Sequence, residues 1–106
     1  MEVAIFSSTP YERQYLEEAN KAENHTLKYI DVSLDADTAE LAAGYGAVCV
    51  FVNDKASAEV LEALHKGGTR LVALRCTGFN NVDVEAAARL GVKVRPRRQL
   101  FAVLGG

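Results

Sequence analysis

Short apolar segments alternate along this chain with segments that carry helix signals, and that alternation constrains the fold more than any other feature. Strands are predicted over residues 2–7, 25–32, 47–52, 70–74 and 92–94. The third is apolar throughout, which is typical of a central parallel strand buried on both faces. Strands joined by single helices favour a parallel sheet with right-handed crossovers and helices on both faces. We therefore predict a flavodoxin-like three-layer α/β/α domain whose five-stranded parallel sheet has the order 2-1-3-4-5.

Capping residues mark the beginning of the first predicted helix. Thr9, with Pro10 after it and Glu12 three residues further on, predicts a helix that starts with a capping box. Apolar residues at helical spacing predict one buried stripe along this helix, made of Tyr11, Tyr15, Leu16, Ala19 and Ala22.

Three further helices are predicted in the same way. A short helix over residues 37–43 ends at Gly44, and Ser57 and Asp83 cap two longer ones. Glycines end these two helices, Gly67 and Gly68 after the first and Gly91 after the second. The predicted buried residues are Val60, Leu61 and Leu64 in the first and Val84, Ala87, Ala88 and Leu90 in the second.

Composition excludes several classes of function. The net charge of -2 argues against a nucleic-acid surface, which needs a basic excess. No apolar run approaches the roughly 20 residues of a membrane span, and the first residues lack the basic region of a signal peptide. The two cysteines, Cys49 and Cys76, are predicted to be reduced and buried in a cytoplasmic protein. A catalytic thiol at Cys76 is the alternative, but neither His25 nor His65 lies in an obvious partner motif.

Polar turns follow the third and fourth predicted strands. The third strand ends at Asn53 and Asp54, and the fourth leads through a glycine-containing turn to the helix cap at Asp83. Backbone N–H groups at such strand ends are free to bind an anion. Two such ends side by side are expected to form half of a small-molecule cleft.

These two turns resemble segments of one enzyme family. F-V-N-D at 51–54 and L-R-C-T-G-F-N-N-V-D at 74–83 are similar to the F-V-N-D and L-R-x-x-G-[FY]-N-x-V-D segments of bacterial D-lactate dehydrogenases. Those enzymes are NAD-dependent D-2-hydroxyacid dehydrogenases, and the resemblance covers roughly residues 1–94. It implies a discontinuous flavodoxin-like substrate domain, to which this segment would belong, and an inserted Rossmann domain that binds NAD.

The resemblance also implies a set of substrate-binding residues. Backbone N–H groups around Thr77 and Gly78 would hold the substrate carboxylate, and Val52 and Asn53 would line the same cleft. The chemistry of Asn53, and of Asn80 and Asn81, is equally consistent with turn formation and capping. Arg75 is interpreted as part of a structural ion pair rather than as a substrate clamp.

The chain departs from the family in ways that bear on activity. No G-x-G-x-x-G segment follows a strand, so the dinucleotide phosphate cradle is missing. The catalytic Arg, Glu and His of the family would lie beyond residue 106. Hydride transfer needs nicotinamide held against the substrate and a general acid or base beside its oxygen. We therefore expect an isolated substrate-domain fragment that is inactive alone, holds no cofactor, and binds a small 2-hydroxy or 2-keto acid weakly at most.

The last residues do not fit the family pattern. A basic cluster over residues 95–98 stands where the family has V-P-x-Y-S-P. We therefore divide the chain into a domain over 1–94 and a tail over 95–106. The departure of the tail from the family pattern indicates a truncation or a frameshift. The tail carries an apolar stretch over 100–104. Two interpretations of this stretch are open: it is a frayed end, or it packs on another surface. Apolar area left open by missing segments is costly. We therefore predict a homodimer, with exchange of the C-terminal segments as one arrangement.

Two other functions are consistent with the fold. In a phosphoacceptor signalling module Asp54 would accept the phosphoryl group, but Ser7, Ser8 and Thr9 stand where such a module has an acidic pair for magnesium. In a flavin-binding carrier the same three residues would hold the phosphate of FMN at a helix N-terminus. The chain has no Trp and no evident aromatic pair to enclose a flavin ring.

Overall fold

The computed structural model describes residues 2–21, 24–51, 54–74 and 82–96. Strands and helices alternate over these residues. In chain order they are β1 Glu2–Ile5, α1 Pro10–Asn20, β2 Thr26–Tyr29, a 3-10 helix Ala39–Ala42, β3 Ala47–Val50, α2 Ala58–Lys66, β4 Leu71–Leu74, α3 Val84–Leu90 and β5 Lys93–Pro96.

All five strands form one parallel sheet in the order β2-β1-β3-β4-β5, which confirms the predicted topology. The strands β3 and β4 are buried at every residue, as expected of parallel strands with helices over both faces. The register pairs Ala47 with Leu71 and Val50 with Leu74. The carboxyl ends of these two strands therefore lie next to each other.

Alternate residues of the strands build two separate cores, because successive side chains of a strand point to opposite faces of the sheet. On one face Ala4, Val48, Val50, Val72 and Leu74 pack with the 3-10 helix, α2 and α3. On the other face Val3, Ile5, Ala47, Cys49, Leu71 and Ala73 pack with Leu16 of α1. Cys49 is buried, as predicted, whereas Cys76 lies outside the described residues.

Helix α1 begins as predicted but buries a different face. Pro10 is its first residue, and the Thr9 hydroxyl accepts a hydrogen bond from the backbone N–H of Glu12 at 3.2 Å. Leu16 is buried, but Tyr11 is 77% exposed and Tyr15 43% exposed, so the predicted tyrosine stripe is wrong. The least exposed line along the helix runs through Leu16 and the half-buried positions 12, 19 and 20. Tyr15 lies about 100° around the helix from that line.

The caps of α2 and α3 agree with the sequence, and the buried face of α3 agrees in part. Side-chain oxygens of Ser57 and Asp83 accept hydrogen bonds from the third backbone N–H after each of them, and Gly91 ends α3 with a φ of 79°. The predicted core residues Val60, Leu61 and Leu64 of α2 are buried. In α3 the buried residues are Ala86 and Ala87, whereas Val84 and Ala88 are exposed, because small alanines form the side packed toward α2.

The predicted helix over 37–43 is a 3-10 helix of four residues, Ala39–Ala42. The Asp35 carboxylate accepts hydrogen bonds from the N–H groups of residues 37 and 38. The N–H of Asp35 in turn donates to the Thr38 hydroxyl. Local bonds of this kind between side chain and backbone compete with regular helix geometry, which explains the short, tight turn.

Strand β5 forms the edge of the sheet opposite β2. It runs through Arg95 and Pro96, which pair with Ala73 and Leu74 of β4. Proline is tolerated there because an edge strand has one side without a ladder partner. The predicted boundary after residue 94 therefore falls inside a paired strand, and the apolar segment over 100–104 lies outside the described residues.

Candidate functional site

The candidate site lies at the carboxyl edge of the sheet, where β3 and β4 end side by side. The four residues proposed to bind substrate, Val52, Asn53, Thr77 and Gly78, lie outside the described residues, as do Arg75, Asn80 and Asn81. The residues that flank them are placed. Ala56 and Val82 form a parallel bridge, and the N–H of Asp83 donates to the carbonyl of Ala56 at 3.0 Å. The segments that leave β3 and enter α3 are thus held against each other.

Asp54 forms the centre of the described part of this edge. It has no solvent exposure. Its Oδ1 accepts a hydrogen bond from the Ser7 hydroxyl at 2.6 Å and another from the N–H of Leu34 at 2.8 Å, and its Oδ2 accepts one from the N–H of Phe51 at 2.6 Å. Hydrogen bonds to a charged acceptor are the strong ones. Asp54 therefore holds the exits of β1 and β3 together with the segment after β2.

Sequence reasoning missed this network, although it placed Asp54 at the end of a strand. Ser7 has a φ of 52°, a left-handed conformation that residues other than glycine adopt rarely. Its N–H donates to the carbonyl of Val32 at 3.0 Å, and its hydroxyl reaches Asp54 across the sheet edge. A lone serine after a strand gives no sequence signal for such a conformation, because distant contacts impose it.

A small cavity of about 220 Å³ opens beside this network. Its lining consists of Ser7, Thr9, Tyr11, Glu12 and Phe51. Phe51, the first residue after β3, is 38% exposed there. The edge thus combines an apolar recess with polar strand ends, the mixture that small organic ligands require.

The junction between β1 and α1 does not fit a dinucleotide or an FMN phosphate. The three side chains there are each engaged by the chain itself: the Ser7 hydroxyl by Asp54, the Ser8 hydroxyl by Asp31, and the Thr9 hydroxyl by the first turn of α1. A phosphate cradle instead needs glycines that let the phosphate approach the backbone. This geometry argues against the flavin-carrier alternative and against a nicotinamide site at this junction.

The phosphoacceptor alternative also disagrees with the structure. An acceptor aspartate must present an oxygen to solvent and to a metal ion, but both Asp54 oxygens are buried against donors of the chain. Within the described ranges no cluster of three or more His, Cys, Asp or Glu side chains is suited to hold a metal ion.

The two histidines lie at the opposite end of the sheet, His25 just before β2 and His65 in the last turn of α2. Neither therefore lies at the strand end that leads to Cys76, the alternative catalytic thiol.

Arg13 is the arginine that the first turn of α1 brings near this edge. Its guanidinium binds Asp31 at 2.8 Å and lies 5.0 Å from the centre of the Tyr29 ring. The Tyr29 hydroxyl donates to Glu17 at 2.5 Å. Partial burial and the Glu17 carboxylate raise the pKa of Tyr29. These contacts tie α1 to β2.

The sequence itself matches a known enzyme family. Residues 3–96 match the sequence model of the D-isomer specific 2-hydroxyacid dehydrogenase catalytic domain, and the chain belongs to that family. The match includes β1 through β5, together with both turns at the candidate site. The resemblance inferred from the two short segments is thereby confirmed.

Individual relatives point the same way. D-lactate dehydrogenase of Escherichia coli is 47% identical over 94 residues, which are 89% of this chain and 29% of the relative. The structure of Salmonella D-lactate dehydrogenase aligns with a TM-score of 0.87 at 47% identity and covers 90% of this chain and 29% of that one. The structure of D-lactate dehydrogenase with NAD+ from Lactobacillus jensenii aligns with a TM-score of 0.72 at 28% identity. This alignment covers 89% of this chain and 29% of that one. The chain thus spans less than a third of the length of these relatives.

No helix within the described ranges is both long enough and apolar enough to cross a membrane.

Proposed function

We propose that this chain is the substrate-binding domain of a D-2-hydroxyacid dehydrogenase. In this proposal the N–H groups of Thr77 and Gly78 hold the carboxylate of a small 2-hydroxy or 2-keto acid, and Val52 and Asn53 line the facing side of the cleft. The observation that supports it is the pairing of Val50 with Leu74, which places the carboxyl ends of β3 and β4 side by side. Membership of the family supports the choice of ligand class.

Backbone N–H groups suit this task because they offer fixed donors without adding a charge that must be neutralised when no ligand is bound. The exposed ring of Phe51 at the end of β3 supplies an apolar neighbour for the alkyl part of the acid. Arg13 is engaged with Asp31 and is not assigned to the ligand.

We propose that the redox step requires parts that this chain does not supply. A relative has been determined with NAD+, and in the intact family we assign that cofactor to a separate domain, since the β1–α1 junction does not fit it here. The nicotinamide would supply the hydride, while this domain binds and orients the acid. The chain alone is therefore expected to bind an acid weakly and to transfer no hydride.

An NMR titration of the ¹⁵N-labelled chain tests this proposal. Pyruvate should shift the amide resonances of residues 51–54 and 74–83 in a saturable manner. Methyl pyruvate, whose ester carries no negative charge, should shift them far less, because the proposed donors recognise the carboxylate. Equal responses to the two compounds, saturable binding of NADH, or reduction of pyruvate by this chain alone would contradict the proposal.

We further propose that the chain is a cytoplasmic homodimer. The support is an open groove of about 470 Å³ between α3 and the edge strand β5, lined in part by Val84, Ala88 and Val94. A second copy would cover these three side chains and the side of β5 that pairs with no strand among the described residues. Sedimentation velocity at micromolar concentration should show a dimer, and a monomer alone would disprove this part.

A further inference from the structure

Helix α3 has one buried side and one exposed side. Ala86 and Ala87 are buried in the core that the helix shares with α2 and the sheet. The exposed residues of the helix are Val84, Glu85, Ala88 and Arg89. Their spacing of one, three and four positions places them on a single side of the helix. We call these four residues the α3 face, and it combines two apolar side chains with two of opposite charge.

The apolar half of the α3 face continues into the groove of about 470 Å³ between α3 and β5. Val84 and Ala88 line that groove, and Val84 is 47% exposed. The small side chain at position 88 allows another helix to approach closely. The seven residues of α3 span only roughly 10 Å. A protein surface that packs on this helix therefore also covers the groove beside it.

The charged half of the α3 face is complementary to itself. Glu85 and Arg89 are exposed, and neither forms an ion pair with another described residue. In a two-fold dimer every contact between two different residues occurs twice, once in each direction. Two antiparallel copies of α3 would therefore place Glu85 of each copy against Arg89 of the other. This arrangement gives two contacts of opposite charge around the apolar residues.

The edge strand β5 favours contact through the helix over direct pairing of two strands. Lys93 and Arg95 are exposed on this strand, and Pro96 has no N–H to donate. An antiparallel pair of β5 strands centred on Val94 would place Lys93 opposite Arg95, and like charges in that position are destabilising. Lysine and proline at a sheet edge discourage pairing with another strand. We therefore expect a second copy to approach through α3.

We propose that the α3 face is the self-association surface of this chain and that its partner is a second copy packed antiparallel on it. Val84 and Ala88 form the apolar centre of the contact. The two pairs of Glu85 with Arg89 set its register. The inference rests on the proposed homodimer and adds to it the surface and the orientation of the two copies.

Charge reversal in the full chain tests this arrangement. Glu85→Lys makes both charged positions of the α3 face positive, and Arg89→Glu makes both negative. Each variant alone should self-associate about 30-fold more weakly, because two attractive contacts become repulsive. An equimolar mixture of the two variants should form a heterodimer as tightly as the original chain forms its homodimer, since opposite charges then meet again. Sedimentation velocity over a range of concentrations measures these dissociation constants.

Recovery on mixing separates a contact between copies from an effect within one helix. Glu85 and Arg89 are four positions apart, so they can also attract each other within one chain. Mixing the two variants leaves that attraction lost in both chains. Circular dichroism of each variant checks that it is folded. A mixture of folded variants that associates as weakly as each variant alone would overturn the proposed orientation.

A matched pair of valines tests the apolar centre. Val84 and Val32 are both 47% exposed, but Val32 follows β2, at the opposite edge of the sheet from β5. Val84→Ser should weaken self-association about tenfold, because the dimer loses the apolar contact of two valines. Val32→Ser should leave self-association unchanged. Equal responses of the two variants would contradict the choice of surface.

Failure of the proposed homodimer gives a different result. If the original chain sediments only as a monomer, the homodimer and the role of the α3 face are both disproved. If the original chain is a dimer that neither charge reversal weakens, the homodimer stands and the α3 face is the wrong surface. That second result would indicate a different contact, such as exchange of the C-terminal segments.

Discussion

The hydroxyl of Ser7 lies 2.6 Å from Oδ1 of Asp54, although 47 positions separate the two residues in the chain. The contact joins the exits of β1 and β3, which are neighbours in the sheet. It places a buried charge where the fold meets the proposed ligand. The stability of the domain and the order of its binding edge should therefore depend on the same carboxylate.

Asp54→Asn should destabilise the domain strongly. The amide keeps one acceptor and brings an NH₂ group against the N–H donors of Leu34 or Phe51. The substitution weakens bonds to a charged acceptor and leaves a buried group unsatisfied. We therefore expect the free energy of unfolding to fall by about 3 kcal/mol. Urea unfolding measures this loss. The control is Asp31→Asn, because the Asp31 carboxylate is 78% exposed beside Arg13. This control should lower the free energy of unfolding by about 0.5 kcal/mol. Equal losses would show that Asp54 is not a special anchor.

Replacing Ser7 should separate its hydrogen bond from its backbone strain. Ser7→Ala removes the hydroxyl and retains a side chain at φ 52°, for an expected loss of about 1.5 to 3 kcal/mol. Ser7→Gly removes the same hydroxyl but relieves the left-handed strain, so it should be more stable than the alanine variant by about 0.5 to 1 kcal/mol. Thermal and urea unfolding of both variants check the order. A glycine variant less stable than the alanine variant would contradict the strain argument.

Leu16→Ala should show that α1 is fixed to the sheet by one buried side chain. Leu16 has no exposure, whereas Tyr11 is 77% exposed. Truncation of a buried leucine costs about 3 kcal/mol, and Tyr11→Ala should change the free energy of unfolding by about 0.5 kcal/mol or less. Chemical denaturation of the two variants compares them directly. A larger loss for Tyr11→Ala would restore the stripe predicted from sequence.

Gly91→Ala should destabilise α3 through backbone conformation and not through a clash. Gly91 has a φ of 79°, and a Cβ built there meets no atom within 4 Å. The left-handed conformation costs an alanine about 1 kcal/mol. Gly91→Asn should lose less, because asparagine adopts this conformation more readily. Melting temperatures of the two variants test this, and equal losses would point to a cause other than φ.

Tyr29 should make the domain less stable at alkaline pH. Partial burial and the Glu17 carboxylate raise the pKa of Tyr29 above its ordinary value of 10.0. The folded state then keeps its phenolic proton where the unfolded state loses it. The contribution to stability is complete below pH 10 and falls as the pH rises toward the folded pKa.

Urea unfolding near neutral pH and above pH 10 measures this effect. Tyr29→Phe should lose less stability over that range than the original chain, and Tyr15→Phe, at an exposed position, should lose as much as the original chain. An ultraviolet titration should also show Tyr29 ionising at a pH above its ordinary value of 10.0. Identical alkaline losses for the two phenylalanine variants would disprove the role of Tyr29.

Local patterns predicted most of the fold because each is complete within a short window. The caps Thr9, Ser57 and Asp83 and the glycine at 91 mark helix ends through bonds to residues three or four positions away. Continuous apolar runs at β3 and β4 identified the central strands. The two turns at 51–54 and 74–83 carried enough family-specific residues to indicate the family that residues 3–96 match.

Tertiary packing decided the features that short sequence windows could not predict, namely which helix faces are buried and which type of helix forms after β2. Which side of α1 and α3 faces the sheet depends on how each helix lies against its neighbours, so Tyr15 and Val84 are exposed although helical spacing predicted burial. The bonds of Asp35 and Thr38 accompany the shortening of the helix predicted over 37–43 to the four-residue 3-10 helix Ala39–Ala42.

The amino-acid sequence by itself determined the strands, the helix caps and the edge of the sheet at which the site is proposed, because periodicity and capping are properties of neighbouring residues. The bond between Ser7 and Asp54 belongs to the tertiary structure alone. Only folding brings the exits of β1 and β3 together, and only burial makes one carboxylate the shared acceptor of three distant segments.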